Sequence, residues 1–125
     1  MVTDDIMEPL VSRFAEGWDG YLRCDAGWTR ILLDLNEKMS QIDPDYSLHQ
    51  VKEKFGTLRF YYEPSSEDLR SQLDALVKEA EALSAVTCEQ TGQRGRLMRR
   101  GYVYKTLCDY YLDLGWEPAL GEEKQ

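Results

Sequence analysis

Two short words, TCEQTG (Thr87–Gly92) and TLCDYY (Thr106–Tyr111), hold the most suggestive chemistry of the chain. A zinc knuckle is built on Cys-x-x-Cys-Gly, a tight turn that aims two thiolates at one ion. Here Cys88 and Gly92 stand in place, but Thr91 occupies the position of the second thiol. Cys108 opens a second half pair, with Tyr111 three residues on. Structural zinc takes four thiolate, imidazole or carboxylate ligands in a tetrahedron. Cys88 and Cys108 supply two; a threonine hydroxyl is no zinc ligand and a phenol is a rare one. Glu89 and Asp109 carry oxygen, but neither stands at the ligand step of its half pair. The single histidine, His49, lies far away on an expected strand. No metal or other cofactor is therefore expected, and Cys88 and Cys108 are relic positions.

Other chemistry finds less. A nucleophilic cysteine needs a base beside it to form its thiolate, and His49 could meet one only through the fold. EKFGTL (Glu53–Leu58) is too bare for a phosphate cradle. The carboxylates are expected on helix surfaces and at caps, with no apolar pocket to raise one pKa. The expectation is a protein that is not an enzyme.

The elements that would hold these words follow from periodicity. A chain of 125 residues with 42% hydrophobic and 30% charged residues can bury a core of its own. Ile6, Leu10, Val11 and Phe14 suggest a first helix from Asp4 to Glu16, capped by Thr3 or Asp4. Trp18 and Tyr21 follow in a glycine-rich stretch and are expected to lid the core. Trp28, Ile31, Leu32, Leu35, Met39 and Ile42 share one helical face, with Asp25 to cap it and Pro44 to stop it. From His49 to Tyr62 the period drops to two, which predicts two strands joined by FGT at Phe55–Thr57. A third helix, Glu67–Ser84, has Ser65 or Ser66 as cap and Leu69, Leu73, Leu76, Val77, Ala80 and Leu83 inside. Strands at Arg96–Arg99 and Tyr102–Leu107 close the reading. The fold class is α+β: N-terminal helices, a small antiparallel sheet carrying one long helix, and a C-terminal β-hairpin of degenerate zinc-ribbon type. Residues 1–117 are expected to form one domain and 118–125 a frayed tail.

Charge bounds the partners. The net charge is −8, and residues 1–50 hold ten acids against four bases. From Cys88 to Lys105 the balance reverses to five bases against one acid. Nucleic-acid binding is driven by phosphate neutralisation, so the net charge disfavours it in general, while one basic strip remains a contact site. No apolar run approaches the roughly 18 residues of a membrane span. The acidic start, MVTDDIMEPL, lacks the basic region of a signal peptide, and three cysteines in no framework spacing suit a reducing compartment. A cytoplasmic protein is expected.

Three longer words carry a family resemblance: VKEKFGTLRFYY (Val51–Tyr62), EAEALSAVTCEQTG (Glu79–Gly92) and GYVYKTLCDYY (Gly101–Tyr111). The chain resembles a family of small uncharacterised phage and prophage proteins from about Ala26 to Tyr111. In that family a Lys-Glu-Lys-Phe-Gly-x-Leu-Arg-Phe-Tyr word precedes a helix, then Thr-Cys-Glu-x-Cys-Gly, then Thr-Leu-Cys-Asp-x-His. Cys88 and Cys108 match the first ligand of each pair, and Thr91 and Tyr111 depart from the second. The resemblance implies that the two cysteines lie within contact range as matching halves of one ribbon. Small size, missing catalytic groups and strong acidity, together with the phage or prophage origin the resemblance implies, suggest a protein that binds and inhibits or modulates a host protein, such as a bacterial defence component. The partner-binding residues expected for this are Arg94, Arg96, Arg99, Arg100, Tyr102 and Tyr104, since arginine and tyrosine are common interface anchors. The acids Asp4, Asp5, Glu8, Asp19, Asp25, Asp43 and Asp45 would then tune association rate. The alternative is a nucleic-acid-binding adaptor using the basic ribbon at 94–105, with Tyr102, Tyr104, Tyr110 and Tyr111 as stacking platforms.

Overall fold

The computed structural model describes residues 3–119. Helix α1 (Thr3–Val11) ends well before Glu16. The cause is competition for backbone partners. The Leu48 amide donates to the Arg13 carbonyl at 2.8 Å, and the Ala15 amide donates to the Leu48 carbonyl at 2.9 Å. Residues 13–15 thus belong to a sheet edge through the parallel bridge of Phe14 with Leu48, and the Ala15 amide, given to Leu48, cannot also continue the helix by donating to the Val11 carbonyl. The buried stripe is also rotated: Met7 is inside and Ile6 outside. A cap at Thr3 or Asp4 depends on side chains outside the described residues.

Strand β1 (Leu22–Arg23) continues that edge, pairing parallel with β2 (Ser47–Lys54), which pairs antiparallel with β3 (Thr57–Glu63). The sheet is therefore mixed, where a purely antiparallel one was expected. Leu48, Val51, Leu58, Phe60 and Tyr62 face the core, and helices α2 (Thr29–Ile42) and α3 (Arg70–Ser84) supply its other side. Short 3-10 turns, Ala26–Trp28 and Glu67–Leu69, lead into these two helices. Ser66 caps the second turn by accepting from the Asp68 amide, as its position suggests. Asp25 precedes the first turn without a capping bond; its carboxylate takes the Gln90 side chain instead. Leu83, expected inside α3, is exposed. Trp18 and Tyr21 are exposed too rather than lids, and Trp18 stacks on His49 with centroids 4.7 Å apart.

A second sheet, in the order β5-β4-β6, is made of β4 (Arg96–Arg100), β5 (Val103–Leu107) and β6 (Glu117–Pro118). Pro118 lies in register with Met98, and the Ala119 amide donates to the Leu97 carbonyl at 3.0 Å. Two residues of the expected frayed tail are thus paired to β4; residues 120–125 lie outside the described residues. The class is α+β. Among the described residues no helix is long and apolar enough to cross a membrane.

Two polar groups pin the first lobe, formed by the first sheet with α1, α2 and α3; the second sheet forms the second lobe. Arg13 donates to Asn36 Oδ1, Ser40 Oγ and the Tyr46 and Pro44 carbonyls, with its guanidinium 4.1 Å from the Tyr46 ring centroid. Asp43, expected on an acidic surface, is buried and accepts from the Ser65 amide at 2.8 Å, the Ser65 hydroxyl at 2.7 Å and the Asp45 amide. Burial alone would raise its pKa, but these bonds outweigh it and hold the carboxyl below its ordinary value. A carboxyl with a lowered folded pKa stabilises the fold above the unfolded value, near 3.9, and the contribution is lost as pH falls through the folded value. Asp43→Asn should therefore destabilise by about 1–2 kcal/mol at pH 7. In urea melts the gap to wild type should close in strong acid; a gap independent of pH would contradict this role.

Candidate functional site

The turn at Cys88 is fixed by backbone before any side chain acts. The Cys88 amide donates to the Gln93 carbonyl at 2.6 Å, the Gly92 amide donates to the Cys88 carbonyl at 2.9 Å, and Gly92 takes φ +80°. Cys88 is fully buried and Cys108 nearly so, and both join Met98 and Leu107 in a small apolar cluster under Tyr111 and Trp116. Thr91 stands between the sulfurs. Its amide donates to Cys88 Sγ at 3.4 Å, and its hydroxyl lies 3.6 Å from Cys108 Sγ. Burial opposes ionisation of Cys88, but hydrogen bonds from the Thr91 hydroxyl and the Thr91, Cys108 and Gln90 amides bring its thiol below the usual value. The fold thus brings together the four positions Cys88, Thr91, Cys108 and Tyr111. As a donor set they are two thiols, a hydroxyl and a phenol, which does not fit structural zinc.

Next to this cluster lies an ion group that periodicity could not place. Glu89 is fully buried. One carboxylate oxygen accepts from the Asp25 amide at 2.9 Å, and the other faces Lys105 Nζ at 3.3 Å. The same ammonium reaches Glu53 at 3.2 Å, and the Gly56 amide donates to the second oxygen of Glu53 at 2.8 Å. Burial raises the Glu89 carboxyl above its ordinary value, against the Asp25 amide and Lys105. The expectation that no carboxylate occupies such a pocket is therefore wrong for Glu89. Cys24 sits beside the group, and burial, with Glu89 and Asp25 adding to it, pushes its thiol up to about 12. A thiol held protonated in this way is a poor nucleophile.

Backbone contact completes the join. The Trp28 indole donates to the Thr87 carbonyl at 2.9 Å and the Gly27 amide to the Glu89 carbonyl at 2.7 Å. A Cβ on Gly27 would stand 2.4 Å from the Cys88 and Glu89 carbonyl oxygens, so only glycine fits there.

The residues expected to bind a partner are mostly occupied within the chain. Arg99 pairs with Glu117 at 2.6 Å and Arg96 with Asp109 at 3.3 Å. Arg100 lies over the Trp116 ring at 4.6 Å and donates to the Leu114 carbonyl. Arg94 is exposed and has no ion-pair partner among the described residues. Tyr102, at the Gly101 turn, is almost fully exposed, and Tyr104 meets Phe55 edge-on with centroids 6.0 Å apart. Phe55, expected only as part of a strand link, stands at this surface as well. Lys54 pairs with Thr57, so Phe55 and Gly56 are the two loop residues, at φ +54° and +84°. A two-residue turn with both φ positive is the type I′ hairpin, which favours Asn-Gly. Phenylalanine there was the available signal. Phe55 stands at the edge of a groove of about 940 Å³ that also takes in Val86, Arg94, Arg96, Leu97 and Tyr110.

No protein-family model, curated protein or solved structure matches this chain.

Removing the ammonium from the ion group should expose its importance. Lys105→Met leaves Glu89 buried without its cation and should destabilise by about 2–4 kcal/mol at pH 7. The raised Glu89 carboxyl takes up a proton as pH falls, so the loss should be smaller in acid than at pH 7. Equal losses by denaturant titration at both pH values would remove Glu89 from this account.

Proposed function

We propose that the chain is a non-enzymatic cytoplasmic binding protein that engages a host protein through the groove beside Phe55. The observation that carries this is Phe55 itself. A bulky residue in left-handed conformation is held there at about 1–2 kcal/mol of strain, and the residue remains 63% exposed. Strain of this kind is retained where an aromatic must be presented. Arg94 and Tyr110 on the same groove add the residue types that anchor protein interfaces. The resemblance to small phage and prophage proteins favours a bacterial host protein, such as a defence component. The adaptor reading for the 94–105 ribbon has less support, because Arg96, Arg99 and Lys105 are already paired with carboxylates.

Phe55→Gly removes the aromatic and the strain together. Its stability should stay within about 1 kcal/mol of wild type, while capture of the partner from a bacterial lysate is lost, as it should also be for Arg94→Glu. Full capture by both variants would reject the groove.

The second lobe reads as a zinc ribbon whose metal has been replaced by packing. Amides aimed at Cys88 Sγ, with Cys108 beside it, support this. Purified wild type should hold less than about one zinc per ten chains, and Thr91→Cys with Tyr111→His should raise the content toward one. Elemental analysis showing near one zinc in wild type, or none in the double variant, would end the ribbon reading.

A further inference from the structure

On the face of the first sheet turned away from the helices, Lys54 and Tyr61 are exposed and Lys52 and Arg59 half-buried. Alternation along β3 buries Leu58, Phe60 and Tyr62 and turns Thr57, Arg59, Tyr61 and Glu63 outward. Register then assigns the neighbours. Arg23 stands opposite Lys52 and Lys52 opposite Arg59, so three cations form one row across three strands. Like charges directly opposite each other destabilise a sheet, and this row lies in a chain of net charge −8. Lys54 adds a fourth cation one step along.

Acids do little to neutralise it. Among the outward residues of these strands Glu63 is the one carboxylate, and it faces Arg70 at 3.7 Å. Asp19 pairs with Arg23. Glu81, on α3, lies near enough for Arg59 to act on its carboxyl, but the two form no ion pair among the described residues. Arg59 also keeps a buried Nε without a hydrogen-bond partner. Lys52 and Lys54 have no ion-pair partner among the described residues.

Aromatic rings border the row on the same face. Tyr61 stands opposite Gln50 and is about half exposed. His49 sits in the irregular step between Leu48 and Gln50, with Trp18 stacked on it. The Tyr21 ring lies beneath the Arg23 guanidinium at 5.6 Å. A track of cations beside exposed rings on an open sheet matches a flexible polyanion that can stack. An acidic peptide would need the cations and leave the rings unused.

We infer that this face docks single-stranded nucleic acid. Stacking on Tyr61 and Trp18 supplies a sequence-tolerant platform, and Lys52, Lys54 and Arg59 neutralise phosphates. The net negative charge confines attraction to contact range, so binding is salt-labile. The surface uses none of Phe55, Arg94 or Arg96 and stands or fails apart from the groove.

Fluorescence anisotropy with a labelled oligothymidylate of about 12 nucleotides provides the test. At about 50 mM salt the wild-type chain should bind, with log affinity against log salt falling at a slope of about −2. Lys52→Glu places a carboxylate between two guanidinium groups, which keeps the fold, and should weaken binding about tenfold or more. Tyr61→Ala should weaken it about fivefold or more without changing the salt slope, and Arg94→Glu should leave it unchanged. As an independent readout, Lys52→Thr should raise the melting temperature. Absence of binding at low salt, or undiminished binding by Lys52→Glu, would overturn the proposal. So would polyglutamate competing as well as the oligonucleotide, which would point to an acidic protein.

Discussion

The ammonium of Lys105 holds the two lobes in one relation. It reaches from β5 to Glu53, at the end of β2, and to Glu89, in the turn after α3. Each carboxylate also accepts a backbone amide, Gly56 for Glu53 and Asp25 for Glu89. Four segments distant in sequence thus meet at one charge cluster. Buried charge is tolerable only where every partner is in place, so the cluster selects one docking geometry and penalises the rest. The Thr106 hydroxyl donates to the Gly56 carbonyl at 2.7 Å, and a Cβ on Gly56 would meet Leu97 at 2.6 Å, which presses the turn onto the second sheet.

Much that is peculiar about the chain follows from that docking. The word VKEKFG combines a docking carboxylate, Glu53, with a docking glycine, Gly56. Phe55 between them is carried outward by the same turn, so the strain that presents it is sustained by contacts on either side. TCE is likewise a structural word. The Thr87 carbonyl accepts the Trp28 indole, Cys88 fills the small apolar cluster, and Glu89 anchors Lys105. Motifs that look like chemistry serve here first as joints between lobes.

The joint also divides the surface. Arginines of the second sheet are turned back on Asp109, Glu117 and Trp116, which leaves Arg94 and the exposed rings to define the groove. Cations of the first sheet stand in a row on the face turned away from the core. A chain with a strongly negative total therefore presents basic ground in two separate places. Net charge governs long-range approach, whereas contact is governed by the residues within a Debye length.

Local pattern decided the elements. Helical spacing from Trp28 to Ile42, alternation from Leu58 to Tyr62 and the stripe of α3 are properties of neighbours in sequence, and each element formed within a few residues of its expected span. The α+β class was legible for the same reason, whereas the closeness of Cys88 to Cys108 was an implication of the family resemblance. What depended on distant partners was not legible. Helix α1 ends early because Leu48 captures residues 13 and 15, and β6 exists because β4 offers an open edge to Glu117 and Pro118. Asp43 and Glu89 look like ordinary surface acids until Ser65 and Lys105 are brought beside them. The hairpin arginines looked free because their carboxylates lie ten or more residues away, and the cation row on the first sheet exists only once β1, β2 and β3 are in register. Periodicity reports which way a side chain faces; tertiary structure alone reports what it faces.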